Sequence, residues 1–267
     1  MTRTPVGSTG LRIVVVAALL QAMACASSEA QRNRGLRRDM LAALVERHDW
    51  NSAFPVARQI LEEDPEDALA LAYRGTIYRE QFLFEEAEAD FKRALKLNER
   101  LAYAHSGLGV LYDVQERSSE AEAHHRRAVE LEPNKASYLN NLGFSLYVHG
   151  KARQAIPVLR DALHIDPTDQ RLQNNLAFAY AQAGDFARAW QHFQLGSGTA
   201  EAKNNLGFAY ERQDSLSQAY EQYAAALRID PTLVRARRNL EHVAQRLGRP
   251  LPDDLQQVSQ IDDSGGH

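Results

Sequence analysis

The chain has 267 residues, 44% hydrophobic and 25% charged, which is enough apolar side chain for a sizeable core and excludes disorder of the whole. Its 31 basic residues are nearly balanced by 35 acidic ones, and a net charge of -4 gives no general attraction to the phosphates of nucleic acid or to an anionic membrane surface. A single cysteine excludes an internal disulfide and a multi-cysteine metal site, so Cys25 is left for local chemistry or an intermolecular bond.

Arg3 and Arg12 are the only charged side chains before Ile13, and Ile13 to Leu20 is an unbroken apolar run that continues through Gln21 to Ala24. About a dozen apolar residues are too few to cross roughly 30 Å of hydrocarbon, so residues 1–24 are expected to be a cleaved export signal and not a permanent transmembrane helix. Leu20-Gln21-Ala22-Met23-Ala24-Cys25 resembles a bacterial lipoprotein processing site, with Ala22 where that family usually has leucine. The resemblance implies lipid on Cys25, and Ala26 in the next position implies sorting to the outer membrane, facing the periplasm. Two other readings stay open: Ala22-Met23-Ala24 as an ordinary A-x-A cleavage site, and an uncleaved anchor. Residues 25–34 are then the lipid anchor and its tether.

From residue 35 the chain is periodic. Leu36–Arg47 and Asn51–Glu63 form a first, weaker helical hairpin (35–65), with the small residue Ala53 in its second helix. The segments ending at Pro65, Glu99, Pro133 and Pro167 then follow one another at 34-residue intervals, giving hairpins at 66–99, 100–133 and 134–167. The next hairpin, 168–197, is cut short at Gly196-Ser197-Gly198, so that Leu176 and Leu206 are only 30 residues apart. That shortening is either a deletion tolerated at a turn or a change of pitch. Hairpin 198–231 completes the series, and the arginine-rich segment Leu233–Leu247 makes a lone helix (232–247). Residues 248–267, with two prolines and acidic pairs, are expected to be a disordered tail, apart from one helical turn through Leu255, Val258 and Ile261.

Within each period small and large residues recur. First helices carry Gly75, Gly109, Gly143, Ala177 and Gly207; second helices carry Ala87, Ala121, Ala155, Ala189 and Ala219, followed four residues later by Phe91, His125, Leu159, Phe193 and Tyr223. Small residues let helix axes approach to about 8 Å, and a large side chain from the neighbouring helix fills the space. Gly150 and Gly184 fall at turns needing a positive φ; Asn134, Thr168 and Thr232 are placed to cap the following helices; Pro55 and Pro157 are expected near enough to a helix start that the missing N–H costs little. His125 is expected as a partly buried substitute for an aromatic ring.

This pattern resembles the tetratricopeptide repeat over roughly Asp39 to Leu247. The resemblance implies an all-α fold, a right-handed α-solenoid of about six hairpins with 232–247 as a capping helix, residues 35–247 forming one stack. In that family the first helices line the concave surface, and the residue two before the small glycine points into it. Those residues here are Asn141, Asn175 and Asn205, with Asn239 in the capping helix. Phe144, Phe178 and Phe208 lie one turn further along the same face, and Arg171 and Arg235 lie four residues before Asn175 and Asn239. Leu69, Tyr73 and Tyr103 make the amino-terminal part of the lining more apolar. Amides can both donate to and accept from a peptide backbone, and guanidinium groups pair with carboxylates. Helices stacked roughly 10 Å apart set against an extended peptide rising about 3.3 Å per residue put one asparagine at every third peptide unit. The asparagines have an alternative use in contacts with the neighbouring helix, and the phenylalanines in filling the space between helices.

No glycine-rich phosphate loop follows a strand and no H-E-x-x-H occurs, so the reading is a non-enzymatic scaffold without cofactor or metal, binding neither nucleic acid nor a small-molecule substrate. Asn140-Asn141-Leu142-Gly143-Phe144, with its echoes at Asn174 and Asn204, resembles the repeat lipoproteins of Flp-type (tight-adherence) pilus assembly, and secondarily those of type IV pilus biogenesis. This implies a partner protein or peptide belonging to a secretin, pilus or other envelope component. The alternatives are an adaptor for periplasmic cell-wall enzymes and a cytosolic carboxylate-binding co-chaperone, the latter at odds with the export signal.

Overall fold

The computed structural model describes residues 32–256, so the export signal, Cys25, Val258 and Ile261 lie outside the described residues. The described residues are helical, without strands, and divide into two compact units, the first ending at Gly107 and the second beginning at Leu108. The first contains α1 (32–46), α2 (Trp50–Glu63), α3 (Ala68–Glu80), α4 (Phe84–Leu97) and the start of α5 (Ala102–Val114). The second contains the rest of α5, then α6 (Ser118–Leu131), α7 (Ala136–Val148), α8 (Ala152–Ile165), α9 (Gln170–Gln182), α10 (Phe186–Gly196), α11 (Thr199–Glu211), α12 (Leu216–Ile229), α13 (Val234–Leu247) and the short α14 (Asp253–Gln256). None of these helices is long and apolar enough to cross a membrane.

The expected pairing of small with large residues is what holds each hairpin. In the first unit the Phe91 ring lies over Gly75; in the second, His125 lies over Gly109, Leu159 over Gly143 and Tyr223 over Gly207. A β-carbon at Gly109 would come within 2.6 Å of the His125 ring, and one at Gly207 within 2.7 Å of Tyr223, so neither position has room for a side chain. Phe91, Leu159, Phe193 and Tyr223 are all fully buried. In the second unit each helix from α6 to α13 packs on the next, and α7, α9, α11 and α13 also touch in succession, forming one continuous row of first helices.

The turns inside hairpins use a left-handed residue. Gly150 (φ +78°) and Gly184 (φ +88°) fill this role as expected, while His48, Phe82, Glu116 and Asp214 adopt it without being glycine. Phe82, at φ +61°, is the bulkiest of them and leaves its ring 79% exposed against Phe84. A left-handed non-glycine residue costs about 1–2 kcal/mol, part of which glycine returns as greater freedom of the unfolded chain. Phe82→Gly is therefore expected to stabilise the protein by about 0.5–1 kcal/mol, read as a higher urea midpoint.

Several local expectations are corrected. Thr168 and Thr232 do not cap: their hydroxyls donate to Asp166 and Asp230, and α9 is capped by Asp169, which accepts from the backbone of Arg171 and Leu172. Asn134 is displaced by Lys135 at the start of α7. Pro55 and Pro157 lie in the second turns of α2 and α8; both are exposed, so the carbonyl each leaves unpaired is on the solvent side of its helix. His125 is not partly buried but 1% exposed, because Asp113 supplies a partner for its Nε2. The tail is ordered through Gln256: Leu255 is buried in the core of α12 and α13, Tyr220 donates to the Pro250 carbonyl at 2.7 Å, and Arg228 pairs with Asp254. That one buried leucine and the polar ties around it are the contacts that hold down a segment whose composition reads as coil.

The short hairpin is closed by a built contact. α10 has 11 residues against 14 in α8 and α12, and Asn174 occupies the space beyond its end, donating to the Gly196 carbonyl at 3.0 Å and accepting from the Ser197 hydroxyl at 3.0 Å.

Candidate functional site

The row α7–α9–α11–α13 in the second unit carries the expected face. Asn141, Asn175, Asn205 and Asn239 are all half-buried on it. Two of them are joined to the preceding first helix: Asn175 Nδ2 donates to Asn140 Oδ1 at 2.7 Å, and Asn239 Nδ2 donates to Asn204 Oδ1 at 3.0 Å. Asn205 Nδ2 reaches the Ser197 hydroxyl at 3.5 Å. The neighbouring-helix use of these amides is therefore realised, leaving Asn175 and Asn239 each with a carbonyl oxygen and one N–H.

The three rings differ in burial. Phe178 is half-buried, edge-on to Phe193 at 4.8 Å and to Phe208 at 6.0 Å, and stacked on Tyr147 at 6.0 Å. Phe144 and Phe208 remain 43% and 41% exposed. With Tyr147 beside Phe144 at 6.1 Å, the four rings form one continuous apolar lane. The arginines are not brought together. Arg171 is drawn back to Asp169, the cap of its own helix, at 2.9 Å, and that hydrogen bond holds the Asp169 carboxyl below its ordinary value. Arg235 is exposed, beside Arg238 and Glu201 in an open cleft of about 510 Å³.

Residues seven positions after the asparagines share the face and were not singled out in the sequence: Val148, Gln182, Arg212 and Arg246. Val148 and Phe144, with Val110 and Val114 of α5, line a cleft of about 420 Å³. Val114 is 55% exposed, as befits a rim. Arg212 lies 5.6 Å from the Tyr147 ring centroid and makes no ion pair with any described residue. The i+7 spacing from each asparagine is the signal that would have found these positions.

Asp113 closes the floor of the cleft. Its Oδ1 accepts from the Ser145 hydroxyl at 2.7 Å and His149 Nε2 at 2.9 Å, and its Oδ2 accepts from His125 Nε2 at 2.9 Å, tying together α5, α6, α7 and the turn after α7. Burial pushes the carboxyl up, but the hydrogen bonds from His125, Ser145 and His149 and the attraction of the His125 ring together outweigh it, so Asp113 titrates below its ordinary value. Ser145 donates to the carboxylate and not to an imidazole, which is a structural tie and not the nucleophile-to-base bond of covalent catalysis.

Family models described as tetratricopeptide repeat match residues 40–97 and 83–136, 147–197, and 200–233. A search of curated proteins finds no significant match. Among solved structures, the chain is similar to YrrB, described as a TPR protein with an unusual peptide-binding site, at 24% identity and a TM-score of 0.54, covering 67% of this chain and 95% of that one. It is similar to PilF of Pseudomonas aeruginosa at 19% identity and a TM-score of 0.60, covering 77% of this chain and 95% of that one. It is similar to PilW, described as a widely conserved type IV pilus biogenesis factor, at 20% identity and a TM-score of 0.63, covering 79% and 97%. These likenesses establish a shared fold. With repeat matches spread over about two-thirds of its length and the same small-to-large packing in hairpin after hairpin, the chain belongs to the tetratricopeptide-repeat family.

Proposed function

We propose that this protein is an exported scaffold, tethered to the outer membrane through lipid on Cys25, that binds a segment of an envelope protein along the first-helix face of its second unit in support of pilus or secretion assembly. The observation that carries the binding role is the lane of rings: Phe144 and Phe208 keep more than 40% of their surface in solvent although buried positions for such rings abound in the fold. The export reading draws on the apolar run before Cys25, and the pilus reading on the echoing Asn-Asn motifs and on the fold shared with PilF and PilW. Nothing in the face is arranged for bond-making, so the work done there is recognition.

A photo-reactive amino acid at Phe208, in the native cell, is expected to cross-link one envelope protein, whereas the same probe at Phe82, on the turn between α3 and α4, is expected to give none. Cys25→Ala is expected to abolish incorporation of labelled palmitate. Capture of the same species from both probe positions, or of none, would remove the face from consideration, and labelling that persists in the alanine variant would remove the lipid. Phe144→Ala and Phe208→Ala are each expected to weaken the partner by about 1–2 kcal/mol while shifting stability by no more than about 0.5 kcal/mol.

A further inference from the structure

We propose that the face selects a segment bearing an apolar side chain and, within about four residues of it, a carboxylate. The apolar group enters the cleft of Val110, Val114, Phe144 and Val148, and the carboxylate pairs with Arg212. This rests on the binding role proposed above and states the ligand chemistry it requires.

The argument begins with Arg212. The acidic residues around it are engaged elsewhere: Glu211 accepts from the Tyr223 hydroxyl at 2.7 Å and faces Arg246 at 3.8 Å, and Asp214 pairs with Arg246 at 2.8 Å. Elsewhere in the second unit Arg188, Arg228 and Arg249 each have a carboxylate within 3 Å, while Arg153, Arg160, Arg235 and Arg238 are exposed without being held against a ring. Arg212 has only the face of Tyr147, which orients the guanidinium without neutralising it. A charged fork held against a ring and lacking an anion is suited to accept a carboxylate.

The other end of the lane has the opposite character. The cleft walls are three valines and a phenylalanine, and the ionised Asp113 in its floor repels a carboxylate placed there. A ligand with one apolar and one acidic group is therefore held in one orientation only. The length between the two subsites follows from the rings: Phe144 lies 6.1 Å from Tyr147, and Tyr147 lies 5.6 Å from the Arg212 guanidinium. The Phe144 ring and the Arg212 guanidinium are thus at most about 12 Å apart, which an extended backbone rising about 3.3 Å per residue covers in no more than about four residues. Between them Tyr147, Phe178, Ala181 and Ala209, with Gln182, Gln213 and Arg212 itself, line a narrow crevice of mixed character.

The test is a displayed library of random dodecapeptides panned against the full mature chain, followed by fluorescence anisotropy of the most enriched peptide. The expected result is enrichment of Leu-, Ile- or Phe-containing peptides with Asp or Glu within about four residues. Arg212→Glu is expected to weaken that peptide by about tenfold or more, and replacing the peptide's acid with lysine to restore binding to the Arg212→Glu variant. Enriched peptides with no acid at that spacing, or an Arg212→Glu effect below about twofold while Phe208→Ala still weakens binding, would overturn the apolar-plus-acid rule and leave the binding face standing. Failure to enrich any peptide, or binding indifferent to Phe144, Phe208 and Arg212 alike, would overturn both.

Discussion

Tyr223→Ala is expected to destabilise the protein by about 3–5 kcal/mol, the range for emptying a fully buried aromatic site. Tyr223 is fully buried, its ring occupies the hollow over Gly207, and its hydroxyl donates to Glu211 at 2.7 Å. No neighbour can collapse into the space without moving α11 against α12. Tyr223→Phe keeps the ring and loses only the hydroxyl bond, so its cost is expected to be about 1 kcal/mol. Burial and the adjacent Glu211 carboxylate hold the Tyr223 hydroxyl well above its ordinary titration point, so this bond is intact across the working pH range. Because each repeat leans chiefly on its neighbours, the alanine variant is expected to lose amide protection first in α11, α12 and α13, as hydrogen exchange would read. Uniform loss throughout the second unit would show that its repeats unfold as a single block.

Asp113→Ala carries the second large expected effect, about 2–4 kcal/mol, because it leaves the fully buried His125 and Ser145 without their acceptor. The same site sets an acid dependence with a definite sign. The folded-state value of Asp113 is depressed below 3.8, so the ionised carboxylate stabilises the native state above that pH. This contribution is lost as the pH falls from about 3.8 through the lower folded value. Melting measured against pH is expected to show a steeper acid decline in the natural protein than in Asp113→Asn. Parallel declines would mean the carboxylate is not what the three donors stabilise.

These two sites also mark what the chain discloses unaided. Gly207 and Tyr223 are 16 residues apart, as are Gly75 and Phe91, Gly109 and His125, and Gly143 and Leu159, so the packing rule repeats inside each hairpin and can be read by counting. The Asp113 cluster cannot, since its partners lie 12, 32 and 36 residues away and no two periods share it. The asparagines were legible as a face but not in their bonding. Asn175 reaches Asn140 and Asn239 reaches Asn204, each 35 residues back, one beyond the regular period and therefore onto the residue beside the equivalent position. The local tie of Arg171 was hidden for the opposite reason: its partner Asp169 is only two residues away, inside the cap of the same helix and outside the repeat pattern. Val114, Val148 and Arg212 share the register, yet no single residue type recurs among them, and their meaning emerges only from what surrounds them.

The ordered segment after α13 bears on self-assembly. A stacked array ends in a helix pair whose next neighbour is missing, and such an end invites a second molecule to continue the series head to tail. Leu255, seated on α12 and α13 and flanked by the Arg228–Asp254 pair, covers part of that terminal surface. A chain cut before Pro250 would present the same surface bare and is expected to self-associate more readily than the full chain, as sedimentation at rising concentration would read.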